Sequence, residues 1–69
     1  MTNHVYKMLE LTGSSNESSD QAIRTALACA AQTVKHMDWF EVLETRGEIR
    51  KGEVANWQVT LKIGYRLES

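Results

Sequence analysis

The chain has no proline, one cysteine, five aromatic residues and no excess of positive charge among its 69 residues. Each shortage removes a class of protein. Cys29 has no partner for an intrachain disulfide. One cysteine and two histidines, His4 and His36, fall short of the tetrahedral set that a structural zinc takes from one chain. No apolar run approaches the roughly 20 residues that span a bilayer, and Met1 to Leu11 carries His4, Lys7 and Glu10 where a signal peptide would have its apolar core. No membrane association is expected, and a lone cysteine without an export signal points to the cytoplasm. Eight basic against nine acidic side chains leave a formal net charge of −1, which lacks the cationic surplus that phosphate neutralisation demands and excludes nucleic acid as a partner.

What is present is a hydrophobic fraction of 42%, six of those residues being alanine. A domain of this size buries only about 60% of the surface its unfolded chain exposes. With disulfides and zinc removed as staples, association with further copies of the chain is the expected source of extra burial. No repeat, linker or low-complexity tract divides residues 1–69, which read as a single domain.

Val5 to Leu11 reads as a first strand, ended by the cluster Thr12-Gly13-Ser14-Ser15. Ser18 with Gln21 three residues on has capping-box spacing, and Asp20 adds negative charge to the first turn, so a helix is predicted to begin near Ser19. Ala22, Ile23, Ala26, Leu27, Ala30, Ala31 and Val34 share one stripe, and Lys35 and His36 are expected to close the last turn. The mostly alanine stripe lets the helix lie close against a sheet. Trp39 to Arg50 reads as a long second strand with imperfect alternation. Lys51-Gly52 is a tight connection, and Val54 to Leu67 alternates cleanly: Ala55, Trp57, Val59, Leu61, Ile63, Tyr65 and Leu67 face one way, the polar residues and Gly64 the other. The result is an α+β subunit of order β-α-β-β. Its first two strands are parallel through a right-handed crossover, and the third lies antiparallel between them.

Chemistry-bearing residues are few. Cys29, mid-helix beside the alanines, reads as a small buried hydrophobe, and His4 and His36, without a carboxylate or cysteine at ligand spacing, as solvated surface groups. No glycine-rich phosphate loop is present. Trp39 and Phe40 are adjacent on a strand and must point to opposite faces; with Phe40 inward, an outward Trp39 is an interface anchor or a stacking platform. Trp57 belongs to the apolar face and is expected in the core. Gln58, Arg46 and Arg66 lie on polar strand positions. They are either the solvated side of a sheet or, if assembly buries that face, groups needing partners such as a planar heteroaromatic ligand with a phosphate tail.

The stretches M-D-W-F-E-V-L-E-T-R-G, N-W-Q-V-T-L-K-I-G-Y-R-L-E and N-H-V-Y-K-M-L-E-L-T-G together resemble the dodecins, small flavin-binding proteins, in their bacterial form. The likeness covers essentially the whole chain. It implies a hollow homododecamer in which each three-stranded antiparallel sheet partly wraps one helix, with paired flavins sandwiched between symmetry-related tryptophans at twofold contacts. Trp39 matches the tryptophan. Gln58 matches a glutamine whose amide meets the pyrimidine edge of the flavin ring, and Asp38 would offer backbone groups at the ring. Arg46 and Arg66 match basic positions near the ribityl-phosphate tail. Trp57 stands where a Tyr or His is usual. The resemblance thus implies FMN or a related flavin, riboflavin or FAD, as cofactor, with coenzyme A a further ligand of bacterial members at residues it does not assign.

The expected function is flavin storage, sequestration and photoprotection without turnover, so the chain is not expected to be an enzyme. The alternatives are a flavin-dependent oxidoreductase, for which there is no dinucleotide fingerprint, and a coenzyme A-binding or purely structural assembly module. Sedimentation at micromolar concentration checks the premise all of these share: a closed high-order oligomer is expected, and a stable monomer would contradict it.

Overall fold

The computed structural model describes residues 3–67. Its elements are β1 (Tyr6–Ser15), α1 (Ser19–Ala30), β2 (Met37–Arg50) and β3 (Glu53–Arg66). The sheet order is β1-β3-β2, with β3 antiparallel to both neighbours, as the β-α-β-β pattern predicts.

Local chemistry explains where α1 begins. Ser18, in extended conformation, accepts the Gln21 backbone N–H on its Oγ at 3.0 Å. The reciprocal arm of the capping box is replaced by Ser15, whose Oγ accepts the Glu17 N–H at 2.9 Å and lies 3.5 Å from the Ser18 nitrogen. The end of the helix differs from expectation. It stops at Ala30, five and six residues before Lys35 and His36, and the N–H groups of Thr33 and Val34 both donate to the Ala30 carbonyl in a closing turn. Two consecutive β-branched residues resist helical continuation there, and His36, at φ 63°, turns the chain into β2.

β1 runs through the cluster expected to end it. Thr12, Gly13, Ser14 and Ser15 pair with Thr60, Val59, Gln58 and Trp57, because ladder hydrogen bonds need only backbone. Gly13 marks close approach instead of a break. A Cβ there would collide with the Ala22 carbonyl oxygen and sit 2.8 Å from the Ala26 Cβ, so the helix rests directly on the strand.

The core lies in that contact: Ala22, Ala26 and Ala30 against Val59, Leu61 and Ile63, flanked by Leu9, Leu11, Ile23, Leu27 and Met37. The buried helical residues form a single i, i+4 row, narrower than the predicted stripe; Ala31 is exposed. Cys29 falls outside this row and is exposed, which corrects its reading as a buried hydrophobe. Trp57 is half-buried instead of in the core, because it pairs with Ser15 and Gly47 at the end of the sheet where the helix only begins. Beyond that point β2 and β3 continue as a two-stranded hairpin, closed by Lys51 and Gly52 at φ 54° and 78° in the manner of a type I′ turn. Ile49 and Val54 on it are 76% and 51% exposed. Among the described residues no helix is long and apolar enough to cross a membrane.

Gly13→Ala tests the helix–sheet contact. Backbone and a core alanine cannot swing aside, so overpacking should cost about 1–3 kcal/mol. The thermal midpoint should fall by roughly 10 °C, measured by circular dichroism.

Candidate functional site

The sheet has one face against α1 and one without a helix, and register assigns each side chain to a face. On the helix side Leu9, Ile63 and Phe40 are in line, as are Leu11, Leu61 and Val42. On the other face the rows are Met8, Gly64 and Trp39; Glu10, Lys62 and Glu41; Thr12, Thr60 and Glu44; and Ser14, Gln58 and Arg46.

Trp39 reaches this second face because of an irregularity. Met37 pairs with Tyr65 and packs against the core, whereas Trp39, two residues later, pairs with Gly64. Asp38 is the extra residue of a bulge between them, which switches the alternation so that Met37 and Trp39 point to opposite sides. The adjacent aromatics therefore separate as predicted, Phe40 to the helix side and Trp39 to the other. A second register shift between Val42 and Glu44 restores the phase that brings Glu44 and Arg46 onto the Trp39 face. These shifts are the physical source of the imperfect alternation in β2.

The Trp39 indole lies over the backbone of Gly64. A Cβ at Gly64 would collide with Cζ2 and Cε2 of the indole and lie 2.6 Å from Cη2. The ring extends across the central strand to β1, where Tyr6 meets it edge-on at 4.9 Å between centroids with 65° between planes. Yet Trp39 is 43% exposed. With its inner face on the sheet and one margin against Tyr6, the surface left bare is its outer face. An open cleft beneath the neighbouring segment is lined by Leu27, Met37, Asp38, Trp39, Phe40 and Ile63.

Arg46 and Gln58 meet at the other end of this face. Arg46 Nε donates to Gln58 Oε1 at 2.9 Å, and its Nη1 donates to Glu44 Oε1 at 2.8 Å and Thr60 Oγ1 at 3.2 Å. Thr60 and Thr12 share a hydrogen bond of 2.8 Å between their hydroxyls. The Gln58 carbonyl oxygen is thus occupied within the sheet, and its amide NH₂ is the group left to donate to a ligand. Arg46 is held in place with one carboxylate partly offsetting its charge.

The five residues singled out by sequence therefore form two groups, four of them on the face without a helix, while Asp38 is the bulge residue without a register partner. Asp38, Trp39 and Arg66 stand at one end, since Arg66 is two residues from Gly64 and pairs with Tyr6. Arg46 and Gln58 stand at the other. Gly64 and Gln58 are six residues apart on β3, about 20 Å at the rise of a strand. A three-ring heteroaromatic cannot lie on Trp39 and touch Gln58 of the same protomer. Tyr6, Gly64, Glu44 and Thr60 were not singled out by sequence. An isolated glycine in a strand is the one signal that pointed to such a close approach. Among the described residues no three His, Cys, Asp or Glu side chains are grouped to hold a metal ion.

Such a subunit belongs to a class of small α+β modules that present a flat aromatic platform and a distant polar cluster on a helix-free sheet face. The sequence profile of the Dodecin family matches residues 5–68. A dodecin from Thermus thermophilus is 52% identical over 64 residues, which is 93% of both chains. The structure of a dodecin from Streptomyces coelicolor superposes with a TM-score of 0.94 at 51% identity, covering 100% of this chain and 99% of that one. A dodecin from Streptomyces davaonensis gives 0.93 at 47% identity, over 99% and 100%. The chain belongs to the dodecin family, small flavin-binding proteins that assemble as dodecamers.

Proposed function

We propose that this chain binds FMN or a related flavin between copies of itself and holds it without turnover, as a storage and photoprotective assembly. The observation that carries the reading is the Trp39 indole laid flat on the sheet with its outer face bare. A flat, exposed indole face is an expensive way to end a strand in water and a suitable wall for a planar ring, which it contacts over its whole area.

The residues fit the ligand in complementary ways. Trp39 stacks on the ring. Gln58 donates its free amide N–H to a ring carbonyl, while Arg46 fixes the orientation of that amide. Because the two ends of the face are about 20 Å apart in one protomer, Trp39 and Gln58 serve one ring only when they come from different copies. The exposed edge strand β2 and the uncovered hairpin give those copies their contact, which accords with a dodecamer. Arg66, beside the platform, carries the fixed positive charge suited to a phosphate tail, and Asp38, as the unpaired bulge residue, has backbone groups to offer at the ring margin.

A bound flavin supplies an electron-poor ring that becomes a strong oxidant when excited by light. Trp39 is an electron-rich donor in contact with it, so excitation should be quenched before photochemistry occurs. A neutral amide supplies neither a proton nor a localised positive charge for an anionic reduced ring. The site therefore favours holding over activation, and a cytoplasmic flavin pool is its natural supply.

In an FMN titration followed by fluorescence quenching, Trp39→Ala should lose about two orders of magnitude in affinity, from the stack and the area it covers, while the oligomer survives. Unchanged affinity would return Trp39 to the role of interface anchor. Co-assembly tests the shared site. Trp39→Ala and Gln58→Ala should each bind poorly alone, but subunits mixed, unfolded and refolded together should regain a fraction of full-affinity sites, because some pairs then combine the intact Trp39 of one copy with the intact Gln58 of another. No recovery would mean that both residues act within one protomer. Incubating FMN-loaded protein with NADH or NADPH in air should give no sustained donor oxidation above that of free FMN; sustained oxidation abolished by Gln58→Ala would make it an oxidoreductase.

A further inference from the structure

Trp39 can act as a platform only if its ring is held at one height and one tilt. On a strand an indole has two side-chain torsions, and an exposed one samples several rotamers. Here two features restrict it. Gly64 is buried and has no side chain, so the six-membered ring of Trp39 rests on its backbone; any Cβ would overlap three ring carbons. Tyr6 stands against the ring from β1, two strands away from Trp39. The absent Cβ in the central strand is what opens the path from β2 to β1. Residues from all three strands thus meet at one spot, and their register places them there without another element: Met8 and Trp39 both pair with Gly64, and Tyr6 pairs with Arg66 two residues on.

We infer that Gly64 and Tyr6 are positioning residues for the stacking surface, Gly64 setting the height of the Trp39 indole above the sheet and Tyr6 its tilt. This rests on the flavin-holding reading for its ligand, though the arrangement itself exists in the unloaded protein. Alanine at Gly64 must lift the ring by about 1 Å to restore ordinary carbon–carbon contact, narrowing the space above it and turning its face. Alanine at Tyr6 removes the lateral stop and leaves the ring to rotate. Phenylalanine at Tyr6 keeps the edge contact and loses only the hydroxyl.

The test uses the assembled protein and two readouts. The first needs no ligand: the near-ultraviolet circular dichroism of unloaded protein. Gly64→Ala and Tyr6→Ala should each change the Trp39 contribution, taken as the difference from the same variant carrying Trp39→Ala so that Trp57 cancels, while Tyr6→Phe preserves it. The second is FMN affinity. Tyr6→Ala should weaken it about two- to tenfold, the size of a lost aromatic pair, Gly64→Ala at least tenfold, and Tyr6→Phe less than twofold. Both losses should vanish in a Trp39→Ala background, because residues that act through one partner are not additive with its removal.

If Trp39→Ala abolishes binding but Gly64→Ala and Tyr6→Ala bind FMN and give dichroism as the unaltered protein does, the positioning inference fails and the flavin reading stands. If Trp39→Ala leaves FMN affinity unchanged, the flavin reading fails, and the dichroism of the unloaded variants still decides whether Gly64 and Tyr6 hold the ring. A loss of affinity that persists at full size in the Trp39→Ala background also overturns the inference, since these residues would then act on something other than the indole. Should Gly64→Ala fail to assemble, the exposed Tyr6 carries both readouts.

Discussion

The constraint on which the structure depends is a mismatch of lengths. A helix of 12 residues is about 18 Å long, whereas the molecule extends 55 Å along its longest axis, the direction of the β2–β3 hairpin. One short helix covers β1 and the adjoining length of β3, and leaves most of β2 and the hairpin uncovered. It does so at close range, through three alanines and Gly13, which gains contact for the atoms involved but buries little area per residue. Everything outside that overlap, from Phe40, Val42 and Leu43 on the edge strand to Ile49 and Val54 on the hairpin, is left with apolar surface exposed in a single copy. Further copies are the cover that the proposed function gives it, with the helix-free face as the surface on which a ligand is held.

On that face the sheet works as a ruler. Its rows are set by antiparallel register, so the distance between the aromatic end and the amide end is fixed by a count of residues and not by side-chain adjustment. A site whose two functional groups are rigidly held about 20 Å apart is not a pocket within one chain. In the proposed function it is two half-sites, each completed by another copy. Fixing each half on strands also explains how so small a protein achieves precision. Arg46 is tied to Glu44, Thr60 and Gln58, and Trp39 is confined by backbone below and Tyr6 beside it.

The bulge at Asp38 is the smallest element with the largest consequence. In a regular strand Met37 and Trp39 would share a face, and either the core would lose Met37 or the open face would lose its indole. One extra residue satisfies both. Such irregularities are invisible to alternation read along a single strand, because the phase of β2 has meaning only against its partner β3.

Sequence by itself determined what depends on neighbours along the chain. Ser18 as the cap, the Lys51-Gly52 turn and the alternation of β3 are all local, and with them came the order β-α-β-β and the central place of β3. The faces of the candidate residues on regular strand positions were legible too, since an aromatic pair must split across a strand and polar residues must share the face opposite Val59, Leu61 and Ile63. Tertiary structure decided what depends on contacts between distant segments. It carried β1 through Gly13 to Ser15 by backbone pairing with β3, and the missing side chain of Gly13 lets the helix rest on the strand there. It ended the helix at Ala30 and left Cys29 outside the buried row, because the width of the row is set by the sheet and not by the helix. It also placed Gly64 beneath Trp39 and separated Trp39 from Gln58. Those relations are statements of register between strands, and a single chain read in one dimension contains the residues but not the alignment that brings them together.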